Sequence, residues 1–224
     1  MNHNLFQDNH FLDFHTHHLR HVDRDDVTEI VSIHMGKERA HQYFTIGIHP
    51  WWIEQLLTST QSDELKLQLS DPHCLAMGEI GLDNTKGPSL KIQTELFKSL
   101  LHLAEDLKKP VVIHCVRAFD QLIKIKKEFP LIPNWCVHGF GRHAILARQL
   151  VDQGFYLSLM PNMPSSKYED IIKSVPLDRI FLETDSMPDV NIEEIYFRIS
   201  KLSGIEISDL CRQLNRNARE FFKI

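Results

Sequence analysis

Five short apolar runs in this chain each lead into a histidine or an acid: FLDFH at 11–15, CLAMGE at 74–79, PVVIH at 110–114, NWCVH at 134–138 and IFLETD at 180–185. A segment such as Val111-Val112-Ile113 predicts a strand buried on both faces, because β-branched side chains pack well there and no polar alternation interrupts it. Strands buried on both faces belong to parallel sheets covered by helices. When each delivers a polar residue at its C-terminal end, the architecture implied is the mouth of a parallel β/α barrel.

The alternation along the chain agrees. Strands are predicted at 11–15, 28–34, 43–48, 74–79, 111–115, 135–138, 155–159 and 180–184. Helical spacing of apolar residues separates most of them: Leu96, Leu100, Leu103 and Leu107 within 89–107, Phe119, Leu122, Ile123 and Ile125 within 118–128, and Ile145, Leu146 and Leu150 within Ala144–Val151. Pro110, Pro130 and Gly154 stop helices just ahead of the next strand. Ser208-Asp209 opens a last helix, ending near Phe222, that should pack outside the barrel. Residues 16–42 are too charged around His21–Asp26 to assign. No repeat or long linker appears, so the expectation is one TIM-type (β/α)8 barrel domain spanning 1–224, with short loops.

Composition narrows the function classes. A net charge of −5 is not that of a protein gripping nucleic acid through a broad basic surface, so any phosphate must be held locally. No apolar stretch is long enough to span a bilayer, and MNHNLFQDNH lacks the layout of a secretory signal. Cys74, Cys115, Cys136 and Cys211 show no CxxC spacing and lie in apolar segments, which predicts reduced core thiols and a cytoplasmic protein.

Residues i and i+2 of a strand share a face, so His15 and His17 project together while Thr16 points away. Taken singly, each candidate has a plainer role. Glu79 can be a turn acid after Gly78, Asp185 a helix N-cap before Ser186 and Pro188, and His114 a satisfied core histidine. All five features share one position, however, and buried charges must be paired or coordinate a metal. The joint pattern favours a metal site.

The chain resembles the TatD-type deoxyribonuclease family of metal-dependent, amidohydrolase-like barrels. The resemblance lies in D-F-H-T-H at 13–17, G-I-H-P at 47–50, G-E-I-G-L-D at 78–83, P-V-V-I-H-C-V-R at 110–117, V-H-G-F at 137–140, E-T-D at 183–185 and N-A-R-E-F-F at 217–222, in the family's order. It implies two divalent ions, one held by His15, His17 and Asp185, the other by His114 and His138, with Glu79 bridging. Mixed imidazole and carboxylate donors suit zinc, manganese or a similar ion such as magnesium, rather than calcium. Two ions about 3.5–4 Å apart can clamp a phosphoryl oxygen and lower the pKa of a water. Asp185 can take that water's proton. Arg117, three residues past His114, can meet a phosphate with its fork, and His49 is expected to touch substrate or to support a ligand. Glu183 either orients a metal ligand or makes a structural ion pair.

Trp51 and Trp52 either form a stacking platform for a base or pack as a lid on a following helix, Ile53–Leu57, the second being favoured. Asn84-Thr85-Lys86 stands where many family members carry aromatics, and Met187-Pro188-Asp189-Val190 is a short loop. Metal-dependent hydrolysis is therefore better supported than hydrolysis of DNA in particular. The leading expectation is a two-metal phosphodiesterase acting on DNA ends or short single strands. The alternatives are a small-molecule phosphoester or amide hydrolase on the same barrel and a non-catalytic metal-binding protein. No membrane or obligate protein partner is expected.

Overall fold

The computed structural model describes residues 5–37, 43–53 and 55–224. Its eight strands are β1 (Phe11–Thr16), β2 (Val27–His34), β3 (Phe44–Gly47), β4 (Cys74–Asp83), β5 (Val111–Val116), β6 (Trp135–Phe140), β7 (Phe155–Leu159) and β8 (Ile180–Leu182). They form one sheet in the order β1-β2-β3-β4-β5-β6-β7-β8. A parallel bridge from Thr16 to Asp185 brings the exit of β8 back to β1. Sequential parallel order, with a helix after each strand from β3 to β8 and none between β1, β2 and β3 among the described residues, is the TIM-type barrel read from the sequence.

The helices are α1 (Ser59–Leu69), α2 (Leu90–Asp106), α3 (Phe119–Lys126), α4 (Ala144–Asp152), α5 (Ser165–Ser174), α6 (Ile192–Ser203) and α7 (Ile207–Phe222). The predicted helices at 89–107, 118–128 and 144–151 correspond to α2, α3 and α4. The opening of α1 is fixed by a capping box in which Thr58 and Gln61 exchange side-chain and backbone hydrogen bonds. Neither α1 nor α5 has a sequence signal of comparable strength. Only Leu65, Gln68 and Leu69 of α1 and Tyr168 and Ile171 of α5 are buried, a stripe too narrow for periodicity to reveal.

Three expectations need correction. Ile53 and Gln55–Leu57 are not helical and follow a 3-10 turn at Pro50–Trp52, while Glu54 lies outside the described residues. Residues 1–4 of the segment read for a signal also lie outside them. Strand β4 runs on past Glu79 to Asp83, because Ile80, Gly81, Leu82 and Asp83 pair with Ile113, His114, Cys115 and Val116 after a register shift. Conversely β8 stops at Leu182, leaving Glu183-Thr184-Asp185 as a separate exit segment.

The chain divides into two compact parts, Met1–Val31 with His138–Ile224, and Ser32–Val137. In the first, Phe14 stacks on Phe181 at 4.0 Å, and Phe221 of α7 meets both rings edge-on at 5.4 and 5.7 Å. All three are fully buried, each contributing about 1.5–3 kcal/mol by leaving water. Asn217 of the same helix donates to the carbonyls of Leu177 and Ile180, ending the backbone groups that precede β8. In the second part, α2 lays Leu96, Phe97, Leu100 and Leu101 against the sheet, and Gln93 seals the exit of β4 by bonding both the N–H and the C=O of Asp83. All four cysteines are buried and none forms a disulfide among the described residues. Among the described residues no helix is long and apolar enough to cross a membrane.

Candidate metal centre

In the part containing β1 and β8, two segments are laced together at their C-terminal ends. Asp185 N–H donates to His15 O at 2.9 Å, and His17 N–H donates to Asp185 O at 3.2 Å. Thr16, fully buried between the two histidines, meets the Thr184 hydroxyl at 3.1 Å, so its side chain serves the strand junction while His15 and His17 face elsewhere. This lacing brings His17 Nε2 to 3.5 Å from Asp185 Oδ1. Donor atoms of His15, His17 and Asp185 lie within 4.8 Å of one another, as do those of His138, Glu183 and Asp185. The His15 and His138 rings stack at 4.1 Å.

Asp185 has φ 53°, a left-handed conformation that non-glycine residues hold only when their surroundings impose it. Asp13 helps to impose it. Its carboxylate accepts the Thr184 N–H at 3.0 Å and the Thr184 hydroxyl at 2.5 Å, fixing the residue before Asp185. Burial pushes the Asp13 carboxyl up to about 7 against those two hydrogen bonds, so it is costly to keep there. The sequence reading assigned Asp13 no role; the strand register shifts between Asp13 and Thr16, and the Asp13 carboxylate shares the Thr184 hydroxyl with Thr16.

Glu183 is wholly buried, accepts the Gly139 N–H at 2.6 Å and lies 3.6 Å from His138 Nδ1. Gly139 takes φ 58°, which lets that N–H turn toward the carboxylate. Glu183 Oε2 is buried without a hydrogen-bond partner. A buried carboxylate oxygen left unsatisfied beside imidazoles and a second carboxylate is an environment that a cation would stabilise, so the donor set fits a divalent metal.

In the part spanning Ser32–Val137, Glu79 Oε1 lies 3.0 Å from His49 Nε2 and 3.1 Å from His114 Nδ1. The His49 Nδ1 accepts the Trp51 backbone N–H at 3.1 Å, which puts the ring proton on Nε2 and makes His49 a donor to Glu79. His49 is 5% exposed, and this geometry favours a supporting role over open contact with substrate. On its other side, His114 Nε2 meets Asp83 Oδ2 at 3.1 Å, and the Trp51 indole N–H donates to the same oxygen at 2.6 Å. A carboxylate behind an imidazole fixes its tautomer and leaves the other nitrogen for a ligand. Burial alone would raise the Asp83 pKa, but hydrogen bonds from Thr85, Trp51 and His114 hold it well below the usual carboxylate range. Asp83 was quoted in the G-E-I-G-L-D block without a function; its tether to Trp51 spans 32 residues and leaves no local pattern.

Gly81 makes room for this arrangement. It pairs with His114 at φ 146°, and a Cβ there would come within 2.0 Å of the His114 carbonyl oxygen. Arg117 follows β5 at φ 51°, exposed, with no hydrogen bond or ion pair among the described residues. Trp51 and Trp52 do not form the lid favoured from sequence, since Ile53 and Gln55–Leu57, which they were to cover, are not helical; Trp52 is 53% exposed. Part of the charged stretch after β1 is bonded internally, while residues 22–26 are exposed. Glu29 accepts the backbone N–H groups of Arg20 and His21 at 3.1 and 3.0 Å. The Arg20 guanidinium donates to Met187 O and Val190 O at 2.8 and 2.7 Å, pinning the short loop after Asp185.

Known proteins supply an independent comparison. The family described as TatD related DNase matches residues 21–223. An uncharacterized metal-dependent hydrolase of Haemophilus influenzae is 31% identical over 161 residues, which cover 66% of this chain and 60% of that protein. A human protein named 3'-5' RNA nuclease TATDN2 is 33% identical over 153 residues, 62% of this chain but 19% of that much longer one. Among solved structures, YJJV, a TatD homolog from Escherichia coli, superposes with a TM-score of 0.79 at 22% identity, covering 97% of this chain and 100% of that one.

Proposed function

From the premise that the chain belongs to the TatD related DNase family, we propose that it is a divalent-metal-dependent hydrolase cleaving phosphodiesters at the ends of DNA or of short single strands. The observation that carries this reading is the convergence of His15, His17 and Asp185 donors within 4.8 Å, beside a buried Glu183 oxygen with no hydrogen-bond partner among the described residues. His15, His17 and Asp185 would hold one ion, His114 and His138 a second, and Glu79 would serve both. Such ions, when bound, supply positive charge against phosphoryl oxygens and a more acidic water.

The chain's own groups have distinct tasks. Asp185 takes the proton of the attacking water as the water oxygen bonds to phosphorus; the bond from phosphorus to the leaving oxygen breaks, and that oxygen takes the proton from Asp185, which returns to its carboxylate form. His49 holds Glu79 through Nε2, and Asp83 holds His114. Glu183 steadies His138. Arg117, exposed and uncommitted among the described residues, meets the substrate phosphate. The relatives' printed names, metal-dependent hydrolase and RNA nuclease, support the same chemistry and leave the sugar open.

A small-molecule phosphoester or amide substrate is the second reading, favoured by the short loop that Arg20 pins after Asp185 and by the net charge of −5. Elemental analysis of the purified protein, with turnover of a manganese-supplemented panel of oligonucleotides and small phosphoesters, tests both. About two equivalents of metal and cleavage that strengthens with oligonucleotide length are expected. Metal-free protein that gains no activity with added metal would overturn the proposal, and cleavage of small esters alone would select the second reading.

A further inference from the structure

An exposed indole on a rigid mount stands next to the proposed centre. Trp135 is 1% exposed, as an indole in a folded domain is expected to be, whereas Trp52 leaves 53% of its surface in water. Its backbone is nonetheless fixed. The 3-10 turn Pro50–Trp52 contains buried Pro50, is capped by the His49 side chain at Trp51 N–H, and closes with Trp52 N–H on His49 O at 3.1 Å. Among the described residues, three rings meet the indole. His34 meets it edge-on at 5.1 Å and 85°, His49 lies tilted at 4.8 Å, and Trp51 stands perpendicular at 6.5 Å.

Holding an apolar face rigid in solvent costs free energy but preorganises it, so a planar partner loses little to ordering when it docks. The surroundings specify which partner. Lys86 Nζ sits 4.1 Å over the neighbouring Trp51 ring, an exposed cation beside the indole pair. Only one imidazole, His49, intervenes between the Trp52 face and Glu79. With a net charge of −5, the chain has no broad basic surface to hold a polyanion, so grip must come from stacking with one or two local cations. An aromatic face with an adjacent cation is the arrangement that binds unpaired bases without reading sequence. Bases inside a duplex are already stacked and cannot use it.

We propose that Trp52 is a stacking subsite for an unpaired nucleobase next to the scissile phosphate. This deepens the phosphodiesterase reading and rests on it.

The test compares a short single-stranded oligonucleotide with its counterpart abasic at the end, on the wild type, Trp52→Ala and Trp52→Phe, in manganese. Stacking contributes about 1–3 kcal/mol per base, so the wild type should favour the base-bearing strand by about 5- to 140-fold in KM. Trp52→Ala should erase that preference and Trp52→Phe should keep most of it. Undiminished discrimination by Trp52→Ala, or equal KM losses on both strands in that variant, overturns the subsite. Binding of oligothymidylate to the metal-free proteins separates this result from failure of the hydrolase reading. Stacking predicts quenching of tryptophan fluorescence that Trp52→Phe abolishes, whether or not any phosphodiester is cleaved. Quenching that survives Trp52→Phe rejects the proposal.

Discussion

Asp83 Oδ2 lies 3.1 Å from His114 Nε2, which turns the imidazole's Nδ1 edge toward Glu79 at 3.1 Å. The same oxygen is held from behind by the Trp51 indole N–H at 2.6 Å, while the Trp51 backbone N–H fixes His49 on the other side of Glu79. One tryptophan thereby sets the orientation of two imidazoles.

Trp51→Phe isolates half of that control, because it keeps an aromatic ring and the backbone N–H but deletes the indole donor to Asp83. Loss of such a supporting hydrogen bond typically weakens metal affinity about 10–100-fold. Titration of the metal-free variant with zinc or manganese should give a shift in that range, with thermal stability close to the wild type. Unchanged affinity would show that Asp83 orients His114 without help.

Glu79→Gln should lower metal content and abolish hydrolysis, since a neutral amide cannot balance nearby dications in a partly desolvated site. Glu79 is 6% exposed, so solvent cannot substitute for the lost charge. Elemental analysis alongside turnover is the measurement; full occupancy with near-normal rates would remove Glu79 from the centre.

For Asp185→Asn, the two roles assigned to the side chain predict different responses to added metal. Removing a general base costs about 10²–10⁴-fold in rate, whereas a lost ligand charge is compensated by more metal. The expected result is a large fall in kcat that persists at saturating manganese, with KM changed far less. Full rescue by metal would leave Asp185 as a ligand only.

Gly81→Ala tests the scaffold. The new methyl would stand 2.0 Å from the His114 carbonyl, at a φ of 146° that alanine rarely adopts. Backbone strain of this kind costs about 1–3 kcal/mol before any clash is counted. Urea unfolding should show at least that loss, together with weaker metal binding because β5 must move at His114. A wild-type midpoint would mean that β4 and β5 can separate locally at no cost.

The sequence alone determined the succession of strands and singled out the residues proposed for the chemistry. Apolar runs such as Val111-Val112-Ile113 leave no choice but burial on two faces, and the spacing of His15 and His17 puts them on one face through the two-residue repeat of a strand. These are local properties, fixed by backbone geometry and side-chain type within a few residues. The tertiary structure decided everything that depends on partners distant in the chain. Asp83 bonds Trp51 across 32 residues, Asp13 bonds Thr184 across 171, and Arg20 reaches Val190 across 170. The stretch around His21–Asp26 was too charged to assign because Glu29 and Arg20 are satisfied by backbone groups that no spacing rule predicts. The exposure of Trp52 was likewise undecidable from its neighbours: an indole is buried or left in water according to what packs against it, and Ile53 and Gln55–Leu57, expected to offer it a helix, are not helical.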